Sequence, residues 1–496
     1  MNVFFKEVIQ PVLNNMEKFS DRNAFFIDGK YYTYQDFSEC VSKIRIALTK
    51  RECKKNNVGL VINDDLLTYA SIIALWLEGK SYVPLHPNWP MDRVLDIIEQ
   101  VEVDLVLDSS DNTRYKESLV LNTQELTYSE SCLMVTHDYT DDELAYILFT
   151  SGSTGKPKGV QLTKGNLGYF MESFFKTGIE LNEEDRCLQC FDLSFDVSVQ
   201  GYLASLTRGA CCYTVPYNQV KYVYAGGLID EYKLTFGAMA PSMLRYLKPY
   251  FKEIDATSLK ACILTAEACP LDLMEDWYKV AKNTEIYDFY GPTECTIYAT
   301  YYKVHRDGQN KTHNGIISIG KAFSNVEVVI LDEDGNEVKD GEKGELCLSG
   351  GQLTVGYWKN DEKNKEAFFM QDGKRWYHTG DICYMESGDI MYAGRMDAQA
   401  KIQGFRVELG EIEFHARAYS QVNCVALAFE NKEHLTEIAL FIEKESEDTT
   451  ALVNYLRTKM PSYMIPEKYY FVPVFPLNAN DKTDKKELRK MINNEN

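Results

Sequence analysis

Short apolar runs and longer amphipathic stretches alternate through the first half of the chain. Val58-Gly59-Leu60-Val61-Ile62, Ser81-Tyr82-Val83-Pro84-Leu85, Val103-Asp104-Leu105-Val106-Leu107 and Leu144 to Phe149 have the length and apolar content of buried strands. Between them, Leu66 to Trp76 and Met91 to Gln100 have the length of helices. This βαβ rhythm predicts a parallel sheet covered by helices, a fold in which ligands sit beyond the carboxyl ends of the strands. From about Val326 the texture turns to strand and turn: Glu327 to Leu331 runs into the hairpin signal Asp334-Gly335, followed by Gly344 to Leu348. Past Asp397 the chain is rich in Lys and Glu and mixes short strands with helices such as Thr450 to Met460. The expected fold class is therefore α/β, with layered helix–sheet subdomains, a β-rich subdomain and a separate small α+β domain.

The 496 residues exceed what one core usually organises, so two to four units are expected. A hydrophobic share of 45% and a charged share of 26% are those of an ordinary globular protein. No run approaches the roughly 18 consecutive apolar residues of a membrane span, and Met1 to Glu7 lacks the basic start of a signal peptide, so a cytoplasmic, membrane-free protein is expected. The 13 cysteines read as reduced, mostly buried thiols. Cys187 and Cys190 form a lone CxxC without a His or a second pair at zinc spacing, and no metal is assigned there. A net charge of −21 argues against bulk nucleic-acid or anionic-membrane binding, which needs clustered Lys and Arg.

A nucleotide needs only local positive potential. Phe149-Thr150-Ser151-Gly152-Ser153-Thr154-Gly155-Lys156-Pro157-Lys158-Gly159 follows a strand-like run with glycines, hydroxyls and lysines, the residues that approach and neutralise phosphate. Only Ser153 and Thr154 separate Gly152 from Gly155-Lys156, which excludes the P-loop spacing of four residues. On its own, the segment reads equally well as an exposed Gly/Ser/Thr turn.

Five further segments follow in order: Phe289-Tyr290-Gly291-Pro292-Thr293-Glu294, Tyr377-His378-Thr379-Gly380-Asp381, Gly394-Arg395-Met396-Asp397, Lys401 to Glu408, and Asn480-Asp481-Lys482. With the glycine-rich loop they resemble the signatures of the adenylate-forming superfamily of acyl-CoA ligases, luciferases and peptide-synthetase adenylation domains. The resemblance spans nearly the whole chain. It implies an N-terminal adenylation core over residues 1–396 and a mobile C-terminal lid over 397–496, with ATP and Mg²⁺ as cofactors.

The resemblance also implies roles. Thr150, Ser151, Gly152, Ser153, Thr154 and Gly155 would hold the β- and γ-phosphates, with Lys158 adding charge. Thr293 would contact the α-phosphate, and Glu294 would help to hold Mg²⁺, a hard cation suited to carboxylate and phosphate oxygens. Tyr290 would carry the adenine, Asp288 would accept from its amino group, and Asp381 and Arg395 would bind the ribose. Lys482 would be the catalytic lysine bridging substrate carboxylate and α-phosphate, although Asp481 stands where the family commonly has glycine. Asp397 would be the hinge between adenylating and thioester-forming arrangements.

Phe195-Asp196-Val197-Ser198-Val199-Gln200 resembles the stretch whose aspartate pairs with the α-ammonium in amino-acid-activating members. Asp196 takes that part here, since a buried cation must be paired. The same register assigns the side-chain pocket to Val197, Gln200, Ala238, Leu264, Ala266, Phe289, Ile297 and Tyr298, an apolar lining suited to a small or medium uncharged amino acid. Freestanding D-alanine:carrier-protein ligases match best in length and layout, but Gln200 and Ala266 differ from the sulfur-containing residues expected there. The expected acceptor is the phosphopantetheine thiol of a separate carrier protein, with coenzyme A second, and the expected state is a monomer. An acyl-CoA ligase and a catalytically silent nucleotide-binding scaffold are the alternatives.

Overall fold

The computed structural model describes residues 2–51, 55–150, 157–396, 399–446, 448–476 and 483–493. Ser151, Gly152, Ser153, Thr154, Gly155, Asp397 and Lys482 lie outside the described residues. The chain divides into two units. The first holds Met1–Pro87, Val101–Leu148 and Gly159–Gly394, the second Asn88–Gln100, Phe149–Lys158 and Arg395–Asn496.

Two large sheets carry the first unit. One has seven strands in the order Gly356–Tyr357, Lys158–Thr163, Leu144–Thr150, Ser81–Leu85, Asn57–Val61, Val106–Asp108 and Val120–Asn122. From Leu144–Thr150 onwards the neighbours run parallel. The other has nine strands, of which six consecutive ones are parallel: Glu285–Tyr290, Ala261–Thr265, Phe236–Met239, Arg186–Gln189, Cys211–Thr214 and Asn23–Ile27. This is the layered α/β arrangement expected from the alternating pattern. The strand expected from Val103 starts later, at Val106, because Glu102 turns the chain with φ +57°.

Two helices lie in the interior. Leu66–Leu77 is apolar on nearly every side; its Trp76 indole donates to Ala145 O of the seven-stranded sheet at 2.9 Å, while its Tyr69 ring lies 4.9 Å from Phe25 of the nine-stranded one. Asp196–Leu206 is buried along its entire length: it packs on Arg186–Gln189, and its Tyr202 hydroxyl lies 3.4 Å from that of Tyr82. A helix covered on opposite sides has no polar face to show.

The β-rich part forms a mainly antiparallel sheet of Val326–Leu331, Gly344–Gly350, Lys374–Glu386 and Phe368–Gln371, with Asp389–Arg395 joined to the third. The expected turn is present, with Gly335 at φ +82°.

In the second unit, Cys424–Glu430, Thr436–Ile442 and Lys468–Phe471 form a sheet. Its period-2 alternation serves two cores. Cys424, Ala426, Ile438, Leu440 and Ile442 pack against Ile412, Leu452 and Leu456, while Val425, Leu427, Phe429, Ala439 and Phe441 pack against Leu488 and Ile492. The helix expected from Thr450 to Met460 spans Thr449–Arg457, because Thr458 and Lys459 close into tight turns ahead of Pro461. Within the same unit, Arg93 and Glu411 form a 2.7 Å ion pair with side chains only 3% and 0% exposed. No helix among the described residues is long and apolar enough to cross a membrane.

Candidate active site

Strands Arg186–Gln189, Phe236–Met239, Ala261–Thr265 and Glu285–Tyr290 are neighbours in the nine-stranded sheet and run in the same direction. Their carboxyl ends deliver Ala238, Leu264, Ala266, Asp288, Phe289 and Tyr290, and the chain leaving the first of them leads to Asp196 at the start of the buried helix. The register places Ala238 opposite Ile263 and Leu264 opposite Asp288. Helical spacing puts Asp196 and Gln200 on one face, one turn apart.

Asp196 is buried, and its Oδ2 has no hydrogen-bond partner. Burial raises its pKa to about 6, against the Thr293 hydroxyl and the Ile297 N–H, which favour the carboxylate; nearby Glu294 adds to the rise. Among the described residues no cation pairs with it. Gln200, fully buried, accepts a 3.4 Å hydrogen bond at Oε1 from the Tyr298 phenol, and its Nε2 is unpartnered. Phe289 lies edge-on to Tyr298 at 5.1 Å and touches Phe174, Tyr301 and Phe323, so its ring belongs to an aromatic cluster behind the phenol.

The backbone after Glu294 is strained. Thr296 has φ +51° and Ile297 φ +71°, a left-handed conformation that costs about 1–3 kcal/mol in a non-glycine residue and most in a β-branched one. Ala266 is also left-handed at φ +70°. Gln352 holds the strained stretch: its Nε2 donates to Tyr298 O at 2.7 Å, and its own carbonyl accepts from Thr296 Oγ1 at 2.5 Å. Gly291 is required on the other side, where an added Cβ would come within 2.6 Å of Ile297 O and Tyr298 Cα.

Glu294 is fully buried and accepts at Oε1 from the Tyr357 phenol at 2.7 Å. Tyr290 donates to Asp381 Oδ2 at 2.5 Å, and Asp381 is set in place by its own N–H donating to Thr379 Oγ1 at 3.0 Å. Asp288 is buried on the same strand face as Tyr290. Val197, Ala238, Leu264 and Ile297 are buried as well.

The second unit holds the remaining described candidates. The Thr150 hydroxyl is buried and unpartnered at its strand's end. Lys158 Nζ lies 3.3 Å from Glu408, which also accepts from Gln399 at 2.6 Å, and Arg395 donates to Gln399 at 2.8 Å. The loop Ser151 to Gly155, the hinge Asp397 and Lys482 are outside the described residues.

As for metals, the Glu294 carboxylate is a hard oxygen donor of the kind Mg²⁺ takes, and it lies close enough to the buried Asp196 carboxylate to act on it, so the donor chemistry fits such an ion. Elsewhere, Glu345, Cys347 and His378 bring ligand atoms within 4.8 Å of one another, but His378 is already paired with Glu345 at 2.8 Å and burial keeps the Cys347 thiol protonated. Cys187 and Cys190 are both buried, and the Cys190 thiol donates to Ala238 O at 3.2 Å.

Gln352 and Tyr357 were not picked out by sequence. Both lie in Gly350 to Trp358, a segment with no phosphate-binding or acid–base signature, and they reach residues some 54 to 63 positions away.

Parallel strands that gather acidic, amide and aromatic side chains at their carboxyl ends are the architecture of an adenylation domain. Among solved structures, the Vibrio cholerae adenylation domain AlmE in complex with glycyl-adenosine-5'-phosphate matches with a TM-score of 0.87 at 26% identity, over 98% of this chain and 97% of that one. A D-alanine–D-alanyl carrier protein ligase of Bacillus cytotoxicus is 31% identical over 83% of this chain and 84% of its own length. Tyrocidine synthase 1 of Brevibacillus parabrevis is 29% identical over 97% of this chain, which spans 45% of that protein. The AMP-binding enzyme family model matches residues 12–358. The chain belongs to the AMP-binding enzyme family.

Proposed function

We propose that the protein activates a small or medium uncharged amino acid with ATP and passes the aminoacyl group to the phosphopantetheine thiol of a separate carrier protein. Asp196 carries the reading: a buried carboxylate with a free oxygen, a pKa raised to about 6 and no described cation is a site for an ammonium group, which fatty and aryl acids lack. The D-alanyl carrier protein ligase relative and the glycyl-adenylate bound by the AlmE domain support a small amino acid and a carrier acceptor.

The substrate carboxylate attacks the α-phosphorus of ATP, the bond to the β-phosphate oxygen breaks, and pyrophosphate leaves. A thiolate then attacks the acyl carbon and AMP departs. Thr293 and Lys482 stabilise the charge gathering at the α-phosphate, Asp381, Tyr290, Asp288 and Arg395 hold the nucleoside, and Ser151 to Gly155 with Thr150 and Lys158 hold the outer phosphates. Glu294 would hold Mg²⁺, which neutralises phosphate charge when bound. Residues 1–396 act as the core and 397–496 as a lid turning at Asp397, in a cytoplasmic monomer supplied with ATP.

Amino-acid-dependent exchange of labelled pyrophosphate into ATP tests the reading. Exchange driven by a fatty or aryl acid and by no amino acid would replace it with an acyl-CoA ligase.

A further inference from the structure

The two ends of the Gln200 amide differ. The Tyr298 phenol donates to Gln200 Oε1 at 3.4 Å. This bond orients the amide with its oxygen toward Tyr298 and leaves Nε2, a donor with nothing else to do, buried and without a partner. One turn back along the same helix face, Asp196 Oδ2 is unpartnered too. An orphaned acceptor and an orphaned donor, both fully buried, thus stand about 5–6 Å apart at the Cβ level. An amino acid with a β-hydroxyl or β-carboxamide spans that gap, with one hydrogen bond at each end.

Resting on the reading of Asp196 as the ammonium partner, we propose that Gln200 Nε2 donates to the substrate's side chain. The preferred amino acid then carries a small uncharged side chain with a hydrogen-bond acceptor: serine, threonine or asparagine. A pocket donor discriminates strongly against analogues that leave it unpaired, whereas an apolar wall separates such pairs poorly.

Pyrophosphate exchange tests this with glycine and with both enantiomers of alanine, valine, proline, serine, threonine and asparagine. The expected result is a kcat/KM for serine, threonine or asparagine at least about tenfold above alanine and valine. Gln200→Met should then bring that ratio to within about threefold of unity while the KM for ATP stays unchanged, a split that loss of packing alone would not produce. A best response to glycine, alanine, valine or proline, or an unchanged ratio in Gln200→Met, overturns the inference and leaves amino-acid activation standing. Exchange with none of the panel overturns both. Should Gln200→Met fail to fold, the wild-type ranking decides.

Discussion

The phenol of Tyr357 donates a 2.7 Å hydrogen bond to Glu294, joining two buried side chains 63 residues apart. Tyr357 thereby acts on the candidate Mg²⁺ ligand from the far side of the sequence, orienting its carboxylate and compensating part of its charge. Tyr357→Phe removes one donor to a charged group, worth about 1.5–3 kcal/mol. Exchange should fall about 10- to 100-fold and require more Mg²⁺ for half-maximal rate. A variant that melts earlier but exchanges normally at ordinary Mg²⁺ would show that Glu294 is not the ion's ligand.

Asp196 sets a pH dependence of known sign. Its pKa is raised from 3.8 to about 6 chiefly by burial, so the folded chain binds a proton that the unfolded chain releases between those values. Stability from this group is full below about pH 4 and lost as pH rises through about 6, leaving a cost of up to about 3 kcal/mol at neutrality. Asp196→Asn should melt higher than the wild type at pH 7.5 and lose amino-acid-dependent exchange. In the wild type, the KM for amino acid should climb as pH falls below about 6. A flat KM from pH 5 to 8 would dissociate Asp196 from the ammonium.

Gln352 braces the left-handed stretch at Thr296 and Ile297. Gln352→Leu keeps the volume and removes the bond to Tyr298 O, so a buried carbonyl loses its partner at a cost of about 1–3 kcal/mol. Thermal denaturation should shift down, and the KM for amino acid should rise more than that for ATP, because Tyr298 moves with its backbone.

Within the second unit, the Arg93–Glu411 pair is almost fully excluded from water, and the Arg93 guanidinium also lies 5.3 Å from the Trp89 ring. Removing one partner strands the other charge, at about 3–5 kcal/mol. Glu411→Leu should therefore destabilise the protein more than Arg93→Met with Glu411→Leu together. Equal losses in urea melts would mean that the charges are hydrated when the protein folds.

For Lys482, the assigned role separates chemistry from binding. Lys482→Ala should lower adenylate formation at least about 100-fold while ATP binding, read by calorimetry, changes little. Parallel loss of both would make it a binding residue only.

Much of this architecture was legible in the order of residues. Ser81–Leu85 was read directly, and the helix Leu66–Leu77 was read as Leu66 to Trp76, one residue short, because a strand and a helix buried on both faces are apolar runs of different length. Asp196 was legible only through the resemblance, since a single aspartate at the start of a helix carries no substrate signal by itself. Gln352 and Tyr357 were not legible because their partners are brought to them by folding. The left-handed Ile297 was likewise hidden: its residue type argues against that conformation, which surrounding hydrogen bonds impose.

The helix Asp196–Leu206 has no solvent-facing side. On most enzymes, positions beside a substrate can drift at little cost because some neighbours touch only water. Here the two residues that would choose the substrate share a rod with Tyr202 and Leu203, which hold the interior layers together. Substrate preference and thermal tolerance are therefore coupled traits, and an evolutionary route to a new amino acid must either repack the interior or work through the strand ends at Ala238, Leu264 and Ala266.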